Sequence, residues 1–295
     1  MRHALLAALV TVAIALAPSS AFAWGFVGHR LVMARAIELL PAELKPFFTA
    51  NKTEIVVRAV DPDVWRTVPW DDDPNHFVDL GMPELGPPPF DGLPRSYEAA
   101  LQKFGMPMLR RIGMLPWREA EMFGNLQRAF AALGRGAQFS TNNVILFSAV
   151  AAHYIQDAHQ PLHASNNHDG QLTGNNGIHG RFETELIVRY QSQLTLTPAP
   201  PVPVSNARDT AFAALIAANR RVEEILAADT KAVAGKAVYD DDYFAKLFAA
   251  VKPVLDKQLS DAISATAGVI IGAWQAAGKP ALPVDEPRPI QKVNK

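Results

Sequence analysis

Residues 153–163, HYIQDAHQPLH, set three histidines and an aspartate around a proline, in a chain of 295 residues with only 8 histidines. The proline fixes the local fold: the periodic run TNNVILFSAVAAHYIQDAH (141–159) reads as a helix that stops before Pro161. On that helix His153 and Asp157, four residues apart, share a face and can offer an imidazole nitrogen and a carboxylate to one cation. Beyond Pro161 the chain can turn and return His163 to the same region. His159 lies about 240° around the helix from His153 and stands apart from the set. A second pair at the same spacing, His179 and Glu183 in HGRFE, opens a later helix. Nitrogen and oxygen ligands without sulfur suit zinc, and clustered carboxylates allow one of them to bridge two ions.

Helical periodicity dominates elsewhere. VGHRLVMARAIELL (27–40) ends at Pro41, NKTEIVVRAV (51–60) runs into Asp61-Pro62, and further helices are expected near 96–112, 181–193, 206–228 and 241–276. No series of alternating strands and no repeat of 20–50 residues is evident. The expected class is all-α, a multi-helix single domain. The Pro-rich TLTPAPPVPVSN (195–206) is expected to run over the surface to two C-terminal helices, and residues 279–295 to form a loose tail.

At the start, MRH precedes the apolar run ALLAALVTVAIALA and the small-x-small site Ala21-Phe22-Ala23, the pattern of a secretory signal peptide over residues 1–23. The run is too short to span a bilayer comfortably, so no stable membrane span is expected, and the mature chain is expected to begin at Trp24, in the periplasm or outside the cell. Residues 24–278 are long enough for one domain with a sizeable core. They and the tail carry 27 basic against 29 acidic residues, which gives no electrostatic footprint for wrapping duplex DNA. Cysteine is absent, which excludes thiol nucleophiles, thiolate metal sites and disulfides.

HYIQDAHQPLH resembles the core motif of the superfamily that joins zinc-dependent phospholipases C with S1/P1 nucleases, and the likeness covers most of the mature chain as ordered motifs. The resemblance implies an all-helical domain with three zinc ions, one of them held by the mature amino terminus. Residue by residue, it implies that Asp63, His76, His153 and Asp157 hold one ion; His163, His179 and Glu183 a second; and Trp24, His29 and Asp157 the third. Asp63 is the match in DPDVWR because Arg66 follows it at the family's spacing, with Asp61 as the alternative. Asp157 then bridges two ions, and water between them serves as the nucleophile for in-line attack on phosphorus. Arg66 is expected to brace charge on the phosphoryl oxygens.

Two positions depart from the nuclease pattern. Gln156 stands where the family usually has Gly or Thr, and Glu183 replaces the Asp of the nucleases, which brings HGRFE close to the phospholipase form. In HFVD, by contrast, Phe77 and Asp79 match the nuclease residues that stack on a base and hydrogen-bond to it. The first expectation is therefore a nuclease or 3′-nucleotidase acting on single-stranded nucleic acid or nucleotides. A phospholipase C is the alternative, supported by Glu183, the HASN beginning at His163 and the Arg181-Phe182 pair. Val27 and Val64 stand where choline-selecting members carry an acid and an aromatic. A non-catalytic exported zinc-binding protein is a third class, and no protein partner is implied. Trp65, Trp70 and Trp117 are candidates to line the cleft or to join the core. Asp71-Asp72-Asp73 reads as the cap of a solvated loop, and NNHDGQLTGNNG (166–177) as a mobile rim in which His168 is a loop residue.

Overall fold

The computed structural model describes residues 24–68 and 70–283; the expected signal peptide and residues 284–295 of the expected tail lie outside the described residues. In chain order the helices are α1 (Gly25–Glu38), α2 (Lys45–Ala50), α3 (Lys52–Arg58), α4 (Asp61–Trp65), α5 (Tyr97–Ile112), α6 (Leu115–Gly134), α7 (Ser140–Asp157), α8 (residues 178–190), α9 (Ala207–Asn219), α10 (Val222–Val233) and α11 (Asp241–Ala276). The fold is all-α: no strand occurs among the described residues. None of the described helices is long and apolar enough to cross a membrane.

The second half of α7 is buried on every side, from Ser148 through Asp157. A helix in that position must be walled by other helices. Here α6 runs along it, α11 and α1 pack against it, and α3 closes the remaining side. α11 is started by Asp240, whose side chain accepts from the Tyr243 N–H at 2.8 Å, with Asp241 and Asp242 in its first turn. The Pro-rich segment lies along α11 as a strap: Val204 N–H donates to the Gly268 carbonyl at 2.9 Å, and Thr197 N–H to Ser260 Oγ at 2.9 Å. The approach is so close that a Cβ on Gly272 would sit 1.9 Å from the Val204 carbonyl oxygen.

Several expectations are corrected. The segment expected as one helix over 206–228 is two, α9 and α10, so three helices follow the strap. The break at Arg220–Arg221 carries no Gly or Pro; a tertiary contact fixes it, with Asn219 Nδ2 donating to the Ala164 carbonyl at 2.7 Å. The tail is not loose at its start, because Trp274 Nε1 donates to the Pro280 carbonyl at 2.9 Å. Of the two places open to it, Trp117 takes the core, as its size favours, buried against Tyr97 and Phe212.

Helix α6 has no counterpart among the helices expected from the sequence. Its buried stripe, Glu119, Met122, Phe123, Leu126, Ala129 and Phe130, has helical spacing, but a glutamate stands in it. Glu119 is fully buried and neither carboxyl oxygen finds a partner. Burial alone pushes its pKa well above the usual 4.5. The folded chain thus keeps a proton that the unfolded chain releases above that value, and stability falls as pH rises. Glu119→Met should remove this contribution and raise stability at neutral pH by roughly 1–3 kcal/mol. In urea unfolding the gap between variant and wild type should widen from pH 5 to pH 8; a gap constant with pH would show that Glu119 is ionised in the fold.

Candidate metal centre

Five histidines and three carboxylates from five parts of the chain meet beside the end of α7. His153 and Asp157 come from α7 itself, one turn apart. A 3-10 turn, Pro161–Ala164, follows at once; the Gln160 side chain caps it by accepting the Leu162 N–H at 2.6 Å, and the turn swings His163 back toward Asp157. His29 comes from α1, Asp63 from α4, and His76 from the residue after the short turn Asp73–Asn75. His179 and Glu183 come from α8, which is wound as Ile178–Gly180, a π-turn over Arg181–Glu185, and Leu186–Tyr190. Such π-turns recur at functional sites.

In each histidine one ring nitrogen is committed to an outward acceptor. His153 Nδ1–H donates to the Ala59 carbonyl at 2.9 Å, His163 Nδ1–H to the His76 carbonyl at 2.6 Å, and His179 Nδ1–H to the His168 carbonyl at 3.1 Å. His29 Nδ1–H donates to Gln156 Oε1 at 2.7 Å, and His76 Nε2–H to Asp72 Oδ2 at 3.1 Å. The remaining nitrogen of each neutral ring then carries a lone pair and points inward. Inside, lone pairs face one another: His76 Nδ1 and His153 Nε2 are 3.1 Å apart, and His163 Nε2 and His179 Nε2 are 3.2 Å apart. Those contacts are repulsive unless a proton or a metal ion lies between them.

The carboxylates make the same demand. Asp63, Asp157 and Glu183 are fully buried, and both oxygens of Asp63, Asp157 Oδ1 and Glu183 Oε1 have no hydrogen-bond partner. Buried, unneutralised carboxylates cost far more than a fold of ordinary stability can absorb. Burial pushes the Glu183 carboxyl up, but His179 and His163 outweigh it and hold it down to about 2. Asp157 behaves likewise: burial raises its pKa, while His153 and His163 carry it well below the usual carboxylate value. Burial disfavours charge on His76, yet its bonds to Asp157 and Asp72 raise its pKa.

The spacing fits metal ligation. Tetrahedral ligands at zinc distances of about 2.0–2.1 Å stand about 3.3 Å from one another. The edges of the His163–His179–Glu183 group are 3.2, 3.6 and 3.0 Å. In the second group, Asp157 Oδ2 lies 3.0 Å from His76 Nδ1 and 3.3 Å from His153 Nε2, with Asp63 Oδ1 3.9 Å from both nitrogens. The other oxygen, Asp157 Oδ1, lies 3.3 Å from His29 Nε2, so this carboxylate faces two groups at once. His153 also falls within reach of the His29–Asp157 pair, but its single inward lone pair can serve one ion only. These groups of His, Asp and Glu could hold metal ions.

The other expected residues take definite places. Trp24 is fully buried; its backbone N–H donates to Glu183 Oε2 at 3.1 Å and its indole to the Gln156 carbonyl at 2.8 Å. Between the two aspartates, Asp63 lies in the centre while Asp61 pairs with Arg58 outside it. Arg66 Nη1 is 3.7 Å from Asp63 Oδ1, and Arg66 is fastened by Asp73 at 2.6 Å. Phe77 and Asp79 are half-buried, alternating with fully buried Val78 and Leu80, and Asp79 Oδ1 is 3.8 Å from His168 Nδ1. His159 is buried away from the cluster, its Nδ1–H donating to the Ile155 carbonyl.

Three expectations about neighbours change. Asp72 is not part of a solvated cap: it is buried and bound to His76. The 166–177 rim is cross-tied through Asn167, Thr173 and Asn175, the last donating to Asp229 Oδ2 at 2.8 Å. Arg181 belongs to that tie, donating to Asp229 at 3.1 Å and to Tyr243 Oη at 2.7 Å. Gln160, which the sequence reading passed over, donates to Glu183 Oε2 at 2.8 Å. The signal for Asp72 was present, since Asp72 and His76 repeat the four-residue acid–histidine spacing of the other two pairs.

No protein-family model matches the chain, and neither does any curated protein. The geometry therefore carries the argument. Asp157→Ala should deprive two groups of a ligand and lower the zinc retained after dialysis, whereas His159→Ala should leave metal content at the wild-type level. Equal retention by the two variants would dissociate the cluster from metal binding.

Proposed function

We propose that the protein is an exported zinc-dependent phosphodiester hydrolase, with single-stranded nucleic acid and nucleotides as its first substrate class. The observation that supports it is the inward convergence of histidine lone pairs on buried, partnerless carboxylates. In this reading Asp63, His76, His153 and Asp157 Oδ2 would hold one zinc ion; His163, His179 and Glu183 a second; His29, Asp157 Oδ1 and the amino terminus of Trp24 a third. Bound zinc would supply Lewis acidity toward a phosphoryl oxygen and an ionised water at neutral pH.

The chain's own residues do the rest. Arg66, held by Asp73 and Asp63, offers a fixed guanidinium to the phosphoryl oxygens where charge grows during attack. Phe77 and Asp79 sit on one side of a segment pinned at Val78 by the His163 carbonyl and at Asp79 by the Ile112 carbonyl. That footing ties the base-stacking ring to the ligand His163. A stacked base is worth ~1–3 kcal/mol and tolerates any sequence.

One observation favours phospholipid instead. Beyond Asp63 the surface exposes Val64, Val68 and Trp70, the last 68% accessible, an apolar rim suited to acyl chains. Against it, Arg181 is occupied by Asp229 and Tyr243. A parallel assay on single-stranded DNA, RNA, 3′-nucleotides and phospholipid micelles separates the readings, with zinc measured on the same sample. Phe77→Ala should cost nucleotide substrates ~1–3 kcal/mol in kcat/KM while sparing a small chromogenic phosphodiester. Loss on every substrate would mark Phe77 as packing, and cleavage of phospholipid alone would establish the second reading.

The amino terminus gives an independent check. An amine freed by processing before Trp24 can ligate when deprotonated, which its reference pKa of about 7.7–8.0 allows, whereas an amide nitrogen is a poor donor. Protein carrying one extra residue before Trp24 should bind fewer zinc ions and lose most activity while keeping its helicity. Full zinc content and activity in such a protein would remove Trp24 from the ligand set.

A further inference from the structure

Of the five inward-facing histidines, four send their outward proton to a neutral acceptor: the carbonyls of Ala59, His76 and His168, or the Gln156 amide. His76 alone sends it to a carboxylate, and it alone turns Nδ1 rather than Nε2 inward. With the ring reversed, its far nitrogen points away from its own backbone, toward side chains of α6 and α7. There Asp72 waits, buried and saturated. Its Oδ2 accepts from His76 Nε2 at 3.1 Å and from Tyr154 Oη at 2.7 Å, and its Oδ1 from Asn75 Nδ2 at 2.8 Å and Arg118 Nη2 at 3.3 Å. An ionised carboxylate has about four lone-pair sites, and all are used. Tyr154 is the neighbour of His153 on α7, and Arg118 also donates Nε–H to Tyr154 Oη at 3.2 Å. The packing of α6 on α7 therefore sets the position of Asp72.

We propose that Asp72 is a positioning residue of the centre: by accepting the Nε2 proton of His76 it fixes the tautomer that leaves Nδ1 free to hold the ion shared with Asp63, His153 and Asp157. This rests on the metal reading above. A carboxylate in this role also makes the imidazole a better donor, and loss of such a partner typically costs 10- to 100-fold in metal affinity.

Asp72→Asn is the informative change, because its orientation is dictated. Arg118 can only donate, so the amide oxygen must stay at the Oδ1 position beside it. The amide nitrogen then faces His76 Nε2 and donates to it, which forces the proton onto Nδ1, where it blocks the ion. In the processed full-length protein, competition with a chromophoric chelator should show one zinc bound about 10- to 100-fold more weakly. The ion of His163, His179 and Glu183 should remain. In metal-free protein labelled with ¹⁵N-histidine, at a pH where His76 is neutral, its proton should sit on Nε2 in the wild type and on Nδ1 in Asp72→Asn. Unchanged zinc affinity, or an unchanged His76 tautomer, overturns the proposal. Tyr154→Phe keeps the ring and withdraws one donor from Asp72, so it tests the same link should Asp72→Asn fail to fold. A loss of about 2- to 10-fold confined to the same ion supports the proposal, and no loss overturns it. If wild-type protein bound no zinc, the metal reading would fall; the wild-type tautomer still decides the part of Asp72, with Nε2–H supporting it and Nδ1–H overturning it.

Discussion

Asp157 sets the terms for the whole molecule. A carboxylate with no access to water lies 3.0–3.3 Å from inward nitrogens of His29, His76 and His153, one of its oxygens lacking any hydrogen-bond partner. Asp63 and Glu183 add two more buried charges within the same cluster. The Arg66 guanidinium lies 3.7 Å from Asp63, and one such contact cannot neutralise three carboxylates. Positive charge from outside the chain, as protons or as metal ions that these groups could hold, would neutralise the centre.

The fold orders these groups through backbone. Three of the histidines are oriented by main-chain carbonyls, those of Ala59, His76 and His168, which belong to segments held by helix ends and tight turns. A carbonyl in a packed segment has no rotamer to lose, so it aims a ring more firmly than a side chain can. His76 takes part twice, as a cluster member through its ring and as the anchor of His163 through its carbonyl. The two main groups are thereby coupled mechanically as well as through Asp157. The burial of α7 between α1, α3, α6 and α11 supplies the water-excluding wall that makes each charge costly and each ligand precise.

What could be read along the chain and what could not divides on physical lines. The pairs His153/Asp157 and His179/Glu183 were legible because four-residue spacing puts two side chains on one helical face whatever the surroundings. Asp72 was misread as solvated because three consecutive aspartates look like a polar loop, and only the arrival of Arg118 and Tyr154 from distant helices makes the middle one a buried acceptor. α6 was hidden by a buried glutamate inside its apolar stripe. The division of 206–228 into two helices depends on Asn219 reaching Ala164, a contact absent from local pattern.

By itself the sequence determined the all-helical class, the helix stop before Pro161 and the two pairs His153/Asp157 and His179/Glu183, because periodicity, proline geometry and four-residue spacing are local properties. Tertiary structure decided which aspartate enters the centre, Asp63 rather than Asp61, since that depends on the face α4 turns toward α7. It decided the tautomer of each histidine in the centre, since the acceptors lie 4 to 127 residues away and mostly on other elements. It also decided that Arg181 serves the rim loop and Arg66 the centre, because a guanidinium goes to the carboxylate that packing brings within reach.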